Sequence, residues 1–252
     1  MTPDLAAQTA PVVLITGAAR RIGAAIARHM HSAGYNIVIH YNQSVDTADT
    51  FCTELNALRP DSARILQAQL TDMAQVKKLA KDTLSCWGRI DALVNNASSF
   101  YPTPLAKATE ADWDTLIGSN LKGPYFLCRE LAEALSESRG AIVNIADIHA
   151  RQPLAEHSIY CIAKAGNVML TKTLAKELAP VVRVNGIAPG AILWPENNGE
   201  MNAQSQQNIL NNIPLGKLGD ELDIARLAHF LITDASYVNG QVIAVDGGSH
   251  LS

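Results

Sequence analysis

Asp147, Tyr160 and Lys164 lie in one stretch, ADIHARQPLAEHSIYCIAK, residues 146–164. Tyr160 and Lys164 are four positions apart, so on a helix they share one face. A free phenol, with a pKa of about 10, is a poor acid at neutral pH, and an ammonium beside it favours the phenolate and brings it closer to useful acidity. Asp147 stands thirteen positions before Tyr160. In isolation it reads as a turn residue after the apolar run GAIVNIA; its register with the tyrosine favours a functional reading. His149 and His157 flank it, but the three side chains lack metal-ligand spacing, so no metal is expected.

A second group of residues has the chemistry of phosphate binding. VVLITGAARRIG carries Thr16, Gly17 and Gly23 from a strand into a helix, where free amide N–H groups and the helix dipole favour a pyrophosphate. Taken alone, the same pattern fits an ordinary tight turn between strand and helix. Arg21 adds a planar cation with several donors. The next strand ends in HYNQS, and none of His40, Tyr41, Asn42, Gln43 and Ser44 is acidic, so no carboxylate there grips a free ribose 2′-hydroxyl. Donors from Arg21, Asn42 and Ser44 suit a 2′-phosphate, which makes NADP(H) the expected cofactor.

Such residues need a scaffold, and the chain alternates short apolar runs with stretches of helical periodicity. PVVLITG, NIVIHY, ARILQAQL, IDALVNNA, GAIVNIA, VVRVNGIAPG and GQVIAVDGG are strand candidates, and 21–33, 45–58, 72–86, 111–136, 157–179 and 220–232 place apolar residues at three- and four-residue intervals. Alternation of this kind predicts an α/β fold, a doubly wound Rossmann-type three-layer sandwich with a seven-stranded parallel sheet. Ligands of such sheets bind outside the carboxyl ends of the strands. One domain over 1–252 is expected, with a lid at 191–216, a segment rich in Asn and Gln; a solvated surface excursion is the other reading of that segment.

A chain of 252 residues that is 48% hydrophobic can bury one large core. A net charge of −4, with no basic cluster beyond Arg20-Arg21, gives no electrostatic reason for binding nucleic acid or an anionic membrane. No apolar run approaches the roughly 20 residues of a membrane span, and MTPDLAAQTA has neither a signal's apolar core nor a presequence's bases. Cys52, Cys86, Cys128 and Cys161 are scattered and read as small buried hydrophobes. A cytoplasmic protein with a small-molecule ligand is therefore expected.

Thr16-Gly-Ala-Ala-Arg-Arg-Ile-Gly23, Asn95-Asn-Ala97, Asn120, Tyr160-x-x-x-Lys164, Pro189-Gly190 and the final VDGG resemble the short-chain dehydrogenase/reductase family from about residue 11 to 249. The resemblance implies a homotetramer in which Tyr160 donates a proton, Lys164 holds the nicotinamide ribose, and Asn120 locally breaks a helix and holds a water linked to Lys164. It also implies cofactor contacts from Gly17, Arg21, Ile22, Gly23, His40, Tyr41, Asn42, Ser44, Gln69, Leu70, Asn96, Ala97, Tyr160, Lys164, Pro189, Gly190 and Ile192. Gln69 stands where relatives commonly place an aspartate against the adenine amino group, and its carbonyl can accept the same bond. AILWPENN departs from the threonine that many relatives carry after the glycine, which leaves the lid contacts open.

Within that family the chain resembles the pteridine reductases. NNASSFYPTPL, residues 95–105, is similar to theirs, and Asp147 occupies the position of the usual catalytic serine. By this resemblance Phe100 stacks on a pterin opposite the nicotinamide, Ser98 hydrogen-bonds the substrate near the cofactor phosphates, and Asp147 and Tyr160 complete the substrate site. The implied activity is NADPH-dependent reduction of a dihydropterin, or of a dihydrofolate-like compound, to the tetrahydro form. A general carbonyl or 3-ketoacyl reductase is the alternative enzyme, and an NADP(H)-sensing protein that retained the fold is the non-enzymatic one.

Overall fold

The computed structural model describes residues 10–194 and 203–251. Seven parallel strands form one sheet in the order β3-β2-β1-β4-β5-β6-β7: β1 (Val12–Ile15), β2 (Asn36–Tyr41), β3 (Ala63–Gln67), β4 (Ala92–Asn95), β5 (Ala141–Ile145), β6 (Arg183–Pro189) and β7 (Val242–Val245). All six strand pairs are parallel; Val13, for instance, lies between Ile37 and Ala92. The chain winds outward from β1 to β3 and then returns to β4 on the other side. The strand order therefore reverses between β1 and β4, and the crevice at their carboxyl ends is where such a sheet takes a ligand.

The helices are α1 (Arg21–Ser32), α2 (Val45–Leu58), α3 (Met73–Trp87), α4 (Glu110–Ile117), α5 (Gly123–Glu137), α6 (Ser158–Glu177), α7 (Ala203–Asn211) and α8 (Glu221–Thr233). Successive strand residues face opposite sides, which gives two cores. Val13, Ile15, Val94 and Val143 pack with Ile26, Phe51 and Leu231 of α1, α2 and α8. Val12, Leu14, Leu93 and Ile142 pack with Leu79, Leu131 and Leu174 of α3, α5 and α6. Helices on both faces explain why the central strands read as continuous apolar runs.

Several helix ends are set by identifiable groups. The Asp72 carboxylate accepts the amides of Ala74 and Gln75 at the start of α3, and Gly88 ends that helix at φ 72°. The Arg183 guanidinium donates to the carbonyls of Leu231, Ile232 and Ala235 at the end of α8. It thereby ties β6 to the helix packed over it.

Two expectations need correction. The run 111–136 is not one helix: α4 and α5 are joined by a π-helical turn, Gly118–Lys122. A Cβ on Gly123 would lie 2.5 Å from the Leu70 carbonyl oxygen, so α5 begins in close contact with the loop after β3. The segment 191–216 contains α7, whose sequence AQSQQNILN is too polar to show a clear apolar stripe; residues 195–202 of the expected lid lie outside the described residues.

Candidate active site

The turn after β1 is built around Thr16, which is 1% exposed. Its hydroxyl donates to the Val94 carbonyl at 3.4 Å and accepts the amides of Asn96 and Ala97 at 2.9 and 3.0 Å. Asn96 Nδ2 returns two bonds, to the carbonyls of Thr16 and Gly17. Gly17 has φ +63°, and a Cβ there would sit 3.0 Å from Ala97 Cα. Gly23 is still more confined, because its Cβ would fall 2.3 Å from the Gly17 carbonyl oxygen. Helix α1 therefore starts directly on the turn.

The Gly17 amide does not point at a ligand, contrary to the simplest reading of a glycine turn. It donates to His40 Nδ1 at 3.0 Å, and His40 Nε2, which must then carry the proton, donates to the Ala68 carbonyl at 3.0 Å. Burial pushes the His40 pKa down to about 4, against a smaller upward effect of the Ala68 bond. His40 is thus a neutral brace between the ends of β1, β2 and β3. In the first turn of α1, Arg20 supplies no side-chain cap and, among the described residues, no hydrogen bond satisfies the amides of Ile22 and Gly23, which leaves these two donors available to an anion.

These groups open onto a cleft of about 730 Å³. It is lined by Gly17, Arg21, Ile22 and Gly23 from the first turn, by Asn96, Ala97 and Ser98 after β4, and by His40, Tyr41, Asn42, Ser44, Gln69 and Leu70 from the ends of β2 and β3. Gln69 Nε2 donates to Thr71 Oγ1 at 2.9 Å, which leaves its Oε1 able to accept a hydrogen bond. Arg21 adopts φ 52°, unusual for a residue with a side chain, and donates to the carbonyl of Trp194, within the segment expected as a lid, at 3.3 Å. Thr71, Ser99, Thr115 and Ser119 also line the cleft. Sequence patterns gave no sign of Thr115 and Ser119, which reach it from α4 and the π turn.

Asp147, Tyr160 and Lys164 come together at the ends of β5 and α6. The Tyr160 hydroxyl donates to Asp147 Oδ2 at 2.6 Å, and Lys164 Nζ lies 5.7 Å from the Tyr160 ring centre while donating to the Ile145 carbonyl at 2.9 Å. Burial lowers the Lys164 pKa to about 8, with Asp147 opposing. The expectation that Lys164 makes the phenol more acidic is not met: burial first, then the charge and hydrogen bond of Asp147, hold Tyr160 well above its ordinary pKa, and Ser98 offsets only part of this. Asn120, 1% exposed in the π turn, accepts the Ser98 hydroxyl at 2.6 Å and donates from Nδ2 to the carbonyls of Ser99 and Leu116. Its own carbonyl accepts Asn167 Nδ2 at 3.2 Å.

Phe100 is 55% exposed, edge-on to Tyr160 with ring centres 4.8 Å apart. One of its faces is covered by His157, stacked at 4.7 Å and 14°, a partner that sequence spacing could not reveal. Pro189 and Gly190 end β6, where the Gly190 amide bonds to the Val245 carbonyl. Ile192, expected near the cofactor, is 5% exposed, and its side chain packs into the core beside Gly219. Among the described residues no group of three or more His, Cys, Asp or Glu side chains could hold a metal ion.

A family model described as enoyl-(acyl carrier protein) reductase matches residues 17–250. Pteridine reductase 1 of Leishmania tarentolae is 35% identical, with 97% of this chain and 98% of the relative covered. The 3-oxoacyl-acyl-carrier-protein reductase of Staphylococcus aureus is 36% identical over 94% and 97% of the two chains, and that of Synechocystis sp. is 38% identical over 97% and 98%. Identity alone therefore does not separate the two kinds of relative.

Proposed function

We infer that this chain, which belongs to the short-chain dehydrogenase/reductase family, is an NADPH-dependent pteridine reductase that converts dihydropterins, and dihydrofolate-like compounds, to the tetrahydro level. The observation that carries this reading is the 2.6 Å bond from the Tyr160 hydroxyl to the Asp147 carboxylate, in the position where a ketone reductase of the family has a serine. Phe100, exposed beside that phenol, offers a ring for a flat heteroaromatic substrate.

The cleft fits a dinucleotide phosphate. Of the residues that line it, the Ile22 and Gly23 amides and Arg21 would take the pyrophosphate, Arg21, Asn42 and Ser44 the 2′-phosphate, and Gln69 Oε1 and Leu70 the adenine; by the family resemblance Lys164 would take the nicotinamide ribose, and Pro189 and Gly190 the carboxamide. When bound, NADPH supplies the hydride that adds to the carbon of the substrate C=N bond.

The chain's own groups supply the proton. Buried beside a carboxylate, Tyr160 keeps its proton at neutral pH and gives it up only to a basic acceptor. A ring nitrogen basic enough to take this proton as its neighbouring carbon is reduced ends neutral, so C=N becomes CH–NH and the new negative charge beside Asp147 is that of the Tyr160 phenolate. A ketone oxygen also ends neutral, as CH–OH, but it is far less basic, so more negative charge builds on it before the proton arrives, and Asp147 repels that charge. At about 4 Å that repulsion costs roughly 1 kcal/mol in water and roughly 4 kcal/mol at an effective dielectric of about 20. The Lys164 ammonium compensates the phenolate that remains until water returns the proton.

The second reading is a 3-oxoacyl reductase, favoured by the relatives of that name at 36% and 38% identity. NADPH oxidation assayed with dihydrobiopterin and with a 3-oxoacyl thioester decides between them: turnover of the thioester without turnover of the pterin rejects the pteridine reading. The proposal includes a cytoplasmic homotetramer, supported by exposed Tyr125 on α5 and exposed Ile162 and Met169 on α6 as contact surface. Light scattering reads the assembly state.

A further inference from the structure

The catalytic carboxylate is tied to the carboxyl-terminal turn. Asp246, 8% exposed, closes that turn by accepting the Gly248 amide at 3.0 Å and the His250 amide at 2.8 Å, and it meets His250 Nδ1 at 2.7 Å. A Cβ on Gly190 would lie 2.6 Å from Asp246 Cβ, so the turn also packs against the Pro189–Gly190 turn on the cofactor side. From there a line of hydrogen bonds runs inward. Gln152 Nε2 donates to the His250 carbonyl at 3.0 Å, the Gln152 carbonyl meets His149 Nδ1 at 3.0 Å, and the His149 amide donates to Asp147 Oδ1 at 2.8 Å. The other oxygen of Asp147 takes the Tyr160 hydroxyl.

The loop bearing Asp147 has little structure of its own to hold it. Its only regular element is a 3-10 turn of three residues, Ile148–Ala150, none of them buried, and so short a turn does not hold its shape unaided. A support from outside the loop is needed if a carboxylate is to stay within hydrogen-bond reach of a phenol on another element. Gln152 provides one, since its side chain reaches 98 positions along the sequence to the turn that packs on the cofactor side.

We propose that Gln152 is a positioning residue, which hangs the loop 147–152 on the carboxyl-terminal turn and so holds Asp147 in register with both Tyr160 and the Pro189–Gly190 turn. The proposal rests on the catalytic role given to Asp147 above, but not on the identity of the substrate. Without the tether the carboxylate gains freedom, and a displacement on the order of 1 Å at a reacting group costs up to about a hundredfold in rate.

The test compares Gln152→Ala, Gln152→Glu and Gln152→Lys with wild type, measuring kcat, KM, NADPH affinity by fluorescence and melting temperature. Alanine and glutamate remove the donor, whereas lysine keeps one of similar reach. The expected result is a fall in kcat of about fivefold or more for the first two. KM, NADPH affinity and melting temperature stay close to wild type, and lysine recovers most of the lost kcat. The proposal is overturned if kcat is unchanged, if lysine falls as far as alanine, or if the loss lies in KM, cofactor affinity or folding. Wild type is run with both dihydrobiopterin and a 3-oxoacyl thioester. If only the thioester is turned over, the pteridine reading fails, and the same variant series, read with the thioester, still supports or overturns the tether.

Discussion

Acidification should unlock the cofactor turn through His40. In the folded protein this ring titrates at about 4 rather than 6.5, because burial disfavours the charged form. Its Nδ1 must also stay unprotonated to accept the Gly17 amide. Between those two values the unfolded chain binds more protons than the native one, so stability rises with pH across that window and is lost as pH falls through it. The gap between 6.5 and about 4 corresponds to about 3 kcal/mol. His40→Asn keeps an acceptor near the Nδ1 position and cannot titrate. Urea unfolding of both proteins without cofactor, at pH 7, 5.5 and 4, should therefore show the wild-type advantage shrinking by about 3 kcal/mol on acidification. NADPH affinity of the folded wild type should fall only as pH nears about 4, where the folded ring itself takes up a proton. Parallel stability profiles for the two proteins would refute this account of His40.

Gly23→Ala should weaken NADPH binding and destabilise the protein by about 1–3 kcal/mol, because the added carbon falls 2.3 Å from a backbone oxygen; unchanged affinity and unfolding midpoint would contradict the close packing of α1 on the turn. Lys164→Met should abolish turnover. Because the buried ammonium titrates at about 8 instead of 10.5, the stability of wild type relative to this variant should rise as pH climbs between those values, and a flat difference in chemical unfolding would rule out the depressed Lys164 pKa.

Fold and site were not equally legible in the sequence. Strands buried on both faces leave continuous apolar runs, and β1, β2, β4 and β5 were visible for that reason; the burial alternates between two cores, but both cores are apolar. Helix α7 escaped notice because AQSQQNILN carries few apolar positions. The interruption at Gly118–Lys122 came from the resemblance at Asn120 and not from periodicity, since apolar residues continue through it. At the site, residue types pointed to the Asp147, Tyr160 and Lys164 group, and helical spacing explained how Tyr160 meets Lys164. Spacing could not reveal that burial, followed by Asp147, raises the pKa of the phenol. The His40 brace, the His157 stack and the Gln152 tether were equally hidden, because each joins segments brought close only by folding.

The proposed preference for a C=N acceptor rests on the carboxylate beside the phenol, and the most direct measurement is the ratio of kcat/KM for dihydrobiopterin to that for a 3-oxoacyl thioester in wild type and in Asp147→Ser. The account predicts a high ratio in wild type that falls at least tenfold in the serine variant, through lost pterin turnover and gained thioester turnover, the equivalent of about 1.4 kcal/mol or more of differential stabilisation. A ratio left unchanged by the substitution would contradict it.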